Sequence, residues 1–253
     1  MRRRRMRRRM RSERMGEAIG ANETNGRDED GCEATYAVAE IFLSINGEGR
    51  RAGQLACFVR FTGCNLVCTY CDTMWANVPD APHTAMTVHE IVERVKTTGA
   101  KNVTVTGGEP LLQENLSELL QILHEEGFFV EIETAGAESI EPYADAPWRP
   151  SFTLDYKLPG SGMESYMYGK NFEIADRRDT VKFVCGSIED MMRAREVCAR
   201  YGLEERTHVY LSPVFGRIAP VDMVNYMAET FWTGVTLQLQ MHKFIWDPNA
   251  RGV

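Results

Sequence analysis

The sequence predicts an α/β fold on a mainly parallel sheet: a partial (β/α) barrel with fewer helices than a complete one. Three observations carry the prediction. From Tyr36 onward, short β-branched runs alternate with stretches of helical period. Central runs such as Asn102-Val-Thr-Val-Thr106 are of the kind that parallel strands, covered on both faces, require. Convincing helices are outnumbered by strands, which argues against a closed eightfold barrel.

In chain order, strands are predicted at Val38–Leu43, Ala56–Phe61, Val103–Thr106, Phe128–Glu133, Phe152–Asp155, Val181–Cys185, Val209–Leu211 and Val235–Leu239. The first helix is predicted at Val88–Lys96, where Val88, Ile91, Val92 and Val95 share one face, with Thr87 and Glu90 as a capping box ahead of it. A second follows at Leu116–His124, with Leu116, Leu119, Leu120 and Leu123 on its apolar side. Two more are predicted at Ile188–Tyr201, stopped by Gly202, and at Val221–Ala228. Pro159–Asn171, with Gly160, Gly162 and Gly169, reads as a loop long enough to act as a mobile lid. In such folds the chemistry belongs at the carboxyl ends of the strands, where Cys64, Gly107 and Lys157 follow three of them.

The chain has 253 residues and 43% hydrophobic content, enough for one large domain. No stretch approaches the roughly 20 apolar residues of a membrane span, and no secretory signal follows the basic start, so no membrane partner and a cytoplasmic location are expected. The net charge of -7 is unevenly spread. Residues 1–15 hold nine of the 29 Arg and Lys and one of the 36 acidic residues, leaving 20 basic against 35 acidic side chains in the remainder. Like charges in a row repel and stay solvated, so residues 1–35 are expected to form a disordered tail ahead of a catalytic domain spanning 36–253, and nucleic acid is not the expected partner. Four interleaved methionines also admit a translation start placed too far upstream.

Seven cysteines without a secretory signal point to metal binding or catalysis rather than disulfides. Three fall within eight residues, in Gly63-Cys-Asn-Leu-Val-Cys-Thr-Tyr-Cys-Asp-Thr73. Spacings of three and two residues let one loop wrap Cys64, Cys68 and Cys71 around a single 4Fe-4S cubane, leaving one iron open where such clusters usually have a fourth cysteine. Zinc is the rival, although structural zinc sites want four ligands, and Cys57 on the preceding strand is a conceivable fourth. Cys185 and Cys198 read as core, and Cys32 lies in the tail.

The three-cysteine spacing, with an aromatic residue before the last thiol, resembles the radical S-adenosylmethionine (SAM) superfamily. Gly107-Gly108-Glu109-Pro110, directly after a strand, agrees with it. The resemblance implies that the cluster passes an electron to SAM bound at the open iron, yielding a 5′-deoxyadenosyl radical that abstracts hydrogen, and that the barrel is of radical SAM type. It also implies that Gly108 and Glu109 engage the methionine moiety, with glycine allowing close approach. Tyr70, Cys71 and Asp72 would then present backbone to the adenine. Glu133, Asp155, Lys157 and Ser212, at strand ends, become candidates for the rest of the cofactor.

Two further stretches, Glu40-Ile-Phe-Leu-Ser-Ile-Asn-Gly-Glu-Gly49 with Arg60, and Leu239-Gln-Met-His-Lys243 with Trp246, are similar to the 7-carboxy-7-deazaguanine synthase family. That resemblance, from about Val38 to Val253, implies magnesium-dependent ring contraction of 6-carboxy-5,6,7,8-tetrahydropterin with loss of ammonia, on the route to 7-deazapurines such as queuosine. It puts Ile45, Asn46, Gly47, Glu48, Thr106 and His242 against the pterin and Arg60 on its carboxylate, which a planar guanidinium grips with paired hydrogen bonds. Thr73 takes the place of the family's Mg2+ ligand, the remaining oxygens coming from substrate and water. An electron donor such as flavodoxin or ferredoxin and a homodimer are implied as well. Many members carry Gln where Asn46 stands, so the amide here reaches one methylene less far. A glycyl-radical-enzyme activase or other radical SAM enzyme shares cluster and SAM but leaves Arg60 and Thr73 without a task; a non-enzymatic iron-sulfur or zinc protein remains the reading from another class.

Overall fold

The computed structural model describes residues 34–253. The arginine-rich segment, Cys32 and the tail expected before Ala34 lie outside the described residues. Among the described residues nine strands form one sheet: β1 (Thr35–Ile45), β2 (Leu55–Phe61), β3 (Thr84–Thr87), β4 (Asn102–Gly107), β5 (Phe129–Thr134), β6 (Ser151–Asp155), β7 (Thr180–Cys185), β8 (His208–Pro213) and β9 (Thr236–Leu237). Their order is β3-β1-β2-β4-β5-β6-β7-β8-β9, and the sheet is not closed by strand pairing. β1 pairs antiparallel with β2 and β3, and every pair from β2–β4 to β8–β9 is parallel. The helices are α1 (Val88–Thr97), α2 (Leu116–Glu125), α3 (Gly169–Ile174), α4 (Ile188–Tyr201), α5 (Leu203–Arg206), α6 (Pro220–Glu229) and α7 (His242–Ile245). Four of them run ten residues or more, so the partial barrel with few helices matches the sequence reading.

The predicted helix signals operate as local chemistry requires. Thr87 Oγ1 accepts from the Glu90 amide at 3.3 Å while Glu90 returns a bond to the Thr87 amide at 2.8 Å, completing the capping box of α1. Gly202 ends α4 with φ of 62°, a left-handed stop. Strand β3 was missed because Thr-Ala-Met-Thr carries no period-2 contrast. It exists as an edge pairing with the start of β1. The strand predicted at Val235–Leu239 shrinks to two residues, because Gln238 turns its side chain to the backbone of Gly49.

Alternation along the parallel strands divides the sheet into two faces. Cys57, Val59, Phe61, Val103, Val105, Ile132, Leu154, Val181, Phe183 and Leu211 point outward and are buried in one apolar core with α1, α2 and α4. The residues between them point inward, and most are polar: Arg60, Asn102, Thr104, Thr106, Glu131, Glu133, Thr153, Asp155, Lys182 and Ser212. Both faces are shielded from bulk water, but only the outer one is a hydrophobic core.

Candidate active site

The strand carboxyl ends form one rim of a cavity of about 740 Å³, and the β1–β2 turn forms its floor. The turn folds in under the concave face. Gly49 donates to Gln238 Oε1 at 2.6 Å, Met241 donates to the Gly47 carbonyl at 3.2 Å, and Glu48 accepts from Ser212 at 2.8 Å and from Gln240 at 3.2 Å. Gly49 holds φ of 74°, and a Cβ there would press 3.2 Å from the Glu131 carboxylate, so glycine lets the turn enter.

On the rim, Cys64, Cys68 and Cys71 lie in the loop after β2, all three lining the cavity. Burial pushes the Cys64 thiol up, and pushes Cys68 up to about 11 against the opposing pull of Lys157. Each of these two thiols feels the charge of Cys71. Among the described residues no three His, Cys, Asp or Glu side chains gather as they would around a single metal ion. A cubane, in which each iron takes one outer ligand beside its bridging sulfides, spans more space than one ion, and three thiols on one loop fit it. Cys57 is no candidate for the vacant corner: it is fully buried on the outer face, where its surroundings are Thr98 and Arg94 at the end of α1.

The loop is held from behind. The Thr69 amide donates to Ser161 O at 3.0 Å, its hydroxyl donates to Gly160 O at 2.8 Å, and Arg217 donates to that hydroxyl at 3.1 Å. Gly160 is fixed in turn by Asp190 at 2.9 Å, and Ser161 is fully buried. The segment Pro159–Asn171 is therefore not a free lid. It forms two short turns and the start of α3, packed behind the cysteines, because Leu158 and Phe172 anchor both its ends in the core.

Gly107 and Gly108 line the cavity and also press against a neighbour within the chain. A Cβ on Gly108 would fall 1.6 Å from the Gly63 carbonyl, and one on Gly107, at φ of 148°, 2.4 Å from that of Phe61. The close approach glycine permits is to the root of the cysteine loop, secured by Gly108 N to Phe61 O at 3.1 Å and Glu109 N to Gly63 O at 2.8 Å. Glu109 itself is fully buried and turned from the cavity. Its carboxylate accepts from Thr134 Oγ1 at 2.8 Å and from the amides of Ala135 at 2.7 Å and Leu111 at 3.1 Å. Desolvation lifts its pKa to about 7 despite those donors.

The other residues singled out in the sequence separate into two groups. Ile45, Gly47, Glu48, Arg60, Tyr70, Asp72, Thr73, Thr106, Gly108, Glu133, Asp155, Lys157 and His242 line the cavity. Asn46 and Ser212 do not. Asn46 is buried with Oδ1 accepting from Thr104 at 2.8 Å, and Ser212 is spent on Glu48. Arg60 has its Nε on Glu40 at 2.8 Å and its terminal nitrogens without a protein acceptor among the described residues. Thr106 donates to Glu133 at 2.9 Å. Thr73 precedes the turn Met74–Ala76 without capping it, its hydroxyl 3.6 Å from Cys71 Sγ. Burial disfavours the Asp72 charge, but Lys243 at 3.0 Å outweighs it and holds the carboxyl below its usual range.

A charged chain joins rim to floor: Lys157 Nζ lies 2.9 Å from Asp155, Lys182 Nζ 3.7 Å from Asp155, and Lys182 Nζ 3.2 Å from Glu48. The second oxygen of Asp155, Oδ1, is buried without a partner in the chain. An orphaned carboxylate oxygen on the wall, beside Glu133, suits a cationic ligand such as the sulfonium and ammonium groups of SAM. Sequence reasoning missed Lys182, Arg217 and Asn77, and gave Gln240 and Lys243 no individual role within their motif. For Lys182 a signal existed: a lone charge at an inward position of the otherwise apolar Val-Lys-Phe-Val run.

Among the described residues no helix is long and apolar enough to cross a membrane. The Radical SAM superfamily pattern matches residues 58–156. The chain is 50% identical over 219 residues to the 7-carboxy-7-deazaguanine synthase of Clostridium acetobutylicum, covering 86% of this chain and 99% of that one. It is 38% identical to the 7-carboxy-7-deazaguanine synthase of Chlorobaculum tepidum, covering 87% and 99%. The crystal structure of QueE from Escherichia coli shares the fold with a TM-score of 0.66 at 24% identity, over 82% of this chain and 95% of that one.

Proposed function

Because the chain belongs to the 7-carboxy-7-deazaguanine synthase family of radical SAM enzymes, we propose that this cavity is its reaction chamber, with the cofactor at the rim and the pterin on the floor. The reaction is the ring contraction of 6-carboxy-5,6,7,8-tetrahydropterin to 7-carboxy-7-deazaguanine with loss of ammonia, in 7-deazapurine biosynthesis. One observation carries the reading: the three-cysteine loop opens onto the same cavity as Arg60 and Glu48.

In this reading Cys64, Cys68 and Cys71 hold the 4Fe-4S cluster, while Gly108, Glu133, Asp155, Lys157 and the backbone of Tyr70, Cys71 and Asp72 hold SAM. Bound together, cluster and SAM supply a carbon-centred radical able to abstract hydrogen from the substrate. The protein's work is to position and shield. Arg60, oriented by Glu40, offers its terminal nitrogens to the substrate carboxylate. Glu48, held by Ser212 and Gln240, accepts from ring N–H groups, and the backbone at Ile45 and Gly47 reads the heterocycle's edge. His242, whose pKa burial lowers, meets the substrate as a neutral ring. Asn46 and Glu109 act from behind the wall: the first steadies the floor through Thr104, the second fixes the end of β5.

Thr73 is the magnesium ligand of this proposal. Thr73 lines the cavity with its hydroxyl 3.6 Å from Cys71 Sγ, and a hard cation with one protein ligand would complete its shell from the substrate carboxylate and water. A flavodoxin or ferredoxin would deliver the electron from outside the chain; a homodimeric assembly in the cytoplasm is carried over from the resemblance alone.

The test is product formation. Reconstituted protein given SAM, Mg2+, a reductant and 6-carboxy-5,6,7,8-tetrahydropterin should release the deazaguanine acid, read by mass spectrometry. SAM cleavage without that product would reject the substrate. Thr73→Ala should weaken magnesium dependence with the cluster intact; loss of cluster loading instead would reject the magnesium assignment.

A further inference from the structure

The floor and the rim of the cavity are bridged by one cation that no cofactor or substrate role above absorbs. Lys182 stands mid-strand on β7 with its side chain 10% exposed. The parallel register sets it directly beside Asp155 of β6. On its other side it meets Glu48 of the β1–β2 turn, a residue 134 positions away in sequence. A buried ammonium persists only where opposite charge offsets its lost hydration. Burial alone would strip the proton, and Glu48 and Asp155 together raise the pKa instead.

The two carboxylates are not equally dependent on it. Asp155 keeps a nearer cation in Lys157, at 2.9 Å against 3.7 Å for Lys182. Glu48 has neutral donors in Ser212 and Gln240 but, among the described residues, pairs with no charged group except Lys182. The other titratable groups near this chain are Glu131, Glu133 and His242 around Lys182, Lys243 beside His242, and Cys68 and Tyr70 beside Asp155. Removing Lys182 would leave the acids that surround it, Glu48, Asp155, Glu131 and Glu133, with Lys157 on Asp155 and no cation paired to Glu48 among the described residues, so mutual repulsion would drive Glu48 from its present orientation.

We propose that Lys182 is a positioning residue for the substrate: it pins the Glu48 carboxylate toward the pterin and ties the floor to the cofactor wall at Asp155. The assignment rests on the pterin reading of the floor. It separates two effects that a general loss of packing would not separate, since pterin affinity depends on Lys182 and SAM affinity on the Lys157-held side of Asp155.

The experiment compares cluster-loaded wild type with Lys182→Met, Lys182→Gln and Lys182→Arg. Anaerobic calorimetry measures affinity for SAM and for 6-carboxypterin, the oxidised and unreactive analogue; steady-state turnover gives KM and kcat; thermal unfolding reports the fold. Lys182→Met should weaken 6-carboxypterin roughly tenfold to a hundredfold, as loss of a charge-assisted bond does, and SAM by less than about threefold. The loss in turnover should fall on KM more than on kcat. Lys182→Arg should recover most of the pterin affinity. Should the methionine variant not fold, the glutamine variant, which keeps a donor without charge, makes the same comparison. Unchanged pterin affinity in the neutral variants, an equal loss for SAM and pterin, or an arginine variant no better than methionine would overturn the proposal. Wild type that cleaves SAM but neither binds 6-carboxypterin nor makes product would instead overturn the pterin reading, and this assignment with it.

Discussion

The two faces of β7 are a useful contrast. Val181, Phe183 and Cys185 turn outward, are fully buried and pack into the apolar core with α4. Between them Lys182 turns inward to Asp155 and Glu48. The same division runs through β4, where Val103 and Val105 meet the helices while Asn102, Thr104 and Thr106 turn to the inner face, the first two bonding to the β1–β2 turn and the last lining the cavity. In a closed eightfold barrel the interior is a packed apolar core. Here the sheet stays open, the interior is polar, and stability is left to the outer face. Substitutions outside should therefore cost stability, and substitutions inside should cost binding or even add stability.

The largest effect belongs outside. Phe183→Ala should cost about 3–5 kcal/mol of unfolding free energy in denaturant titration, while folded variant keeps its affinity for SAM. An intact fold with lost SAM binding would break the contrast. Next comes Glu131, on the inner face, to which Thr153 at 2.5 Å is the one donor among the described residues. Desolvation pushes its pKa from 4.5 up to about 7. The folded chain thus holds this proton more tightly than the unfolded one, so the contribution is full below pH 4.5 and drains away as pH rises to about 7. The cost of ionising it above pH 7 is roughly 3 kcal/mol. Glu131→Gln should accordingly stabilise at pH 8 and do little at pH 4.5, as read by thermal unfolding at the two values; equal effects at both would remove Glu131 from the account.

Arg60→Lys sharpens the contrast on the cavity side. Losing the forked geometry should lower kcat/KM for the pterin about tenfold to a hundredfold, with unfolding free energy within about 1 kcal/mol of wild type. Unaltered kinetics would move the substrate carboxylate elsewhere. The smallest effect is again external: Thr87→Ala removes the cap of α1 and should cost about 1 kcal/mol without changing turnover.

Most of the outer half was legible in the sequence, because apolar periodicity reports what packs. The four long helices, their cap at Thr87 and stop at Gly202, and eight of the nine strands, the last of them longer than observed, could be read from it. The inner half was legible only where residue types announce chemistry, as the cysteine loop and Arg60 do. Lys182 was hidden inside a strand that reads as core. Asn46 and Glu109 carry side chains that suit a ligand, and only three-dimensional proximity shows that Thr104 claims Asn46 Oδ1, leaving Nδ2 buried without a partner among the described residues, and that Thr134 with Ala135 claims Glu109. Pro159–Asn171 looked free because glycine content registers locally, whereas its anchors Asp190 and Thr69 lie far along the chain.

The central claim is that three thiols on the rim hold a cluster with one iron left for SAM. Electron paramagnetic resonance of the reduced, fully loaded protein tests it directly. Adding SAM should change the cluster's spectrum, as a ligand arriving on an open iron must. A spectrum indifferent to saturating SAM, in protein that carries four irons per chain, would contradict the account.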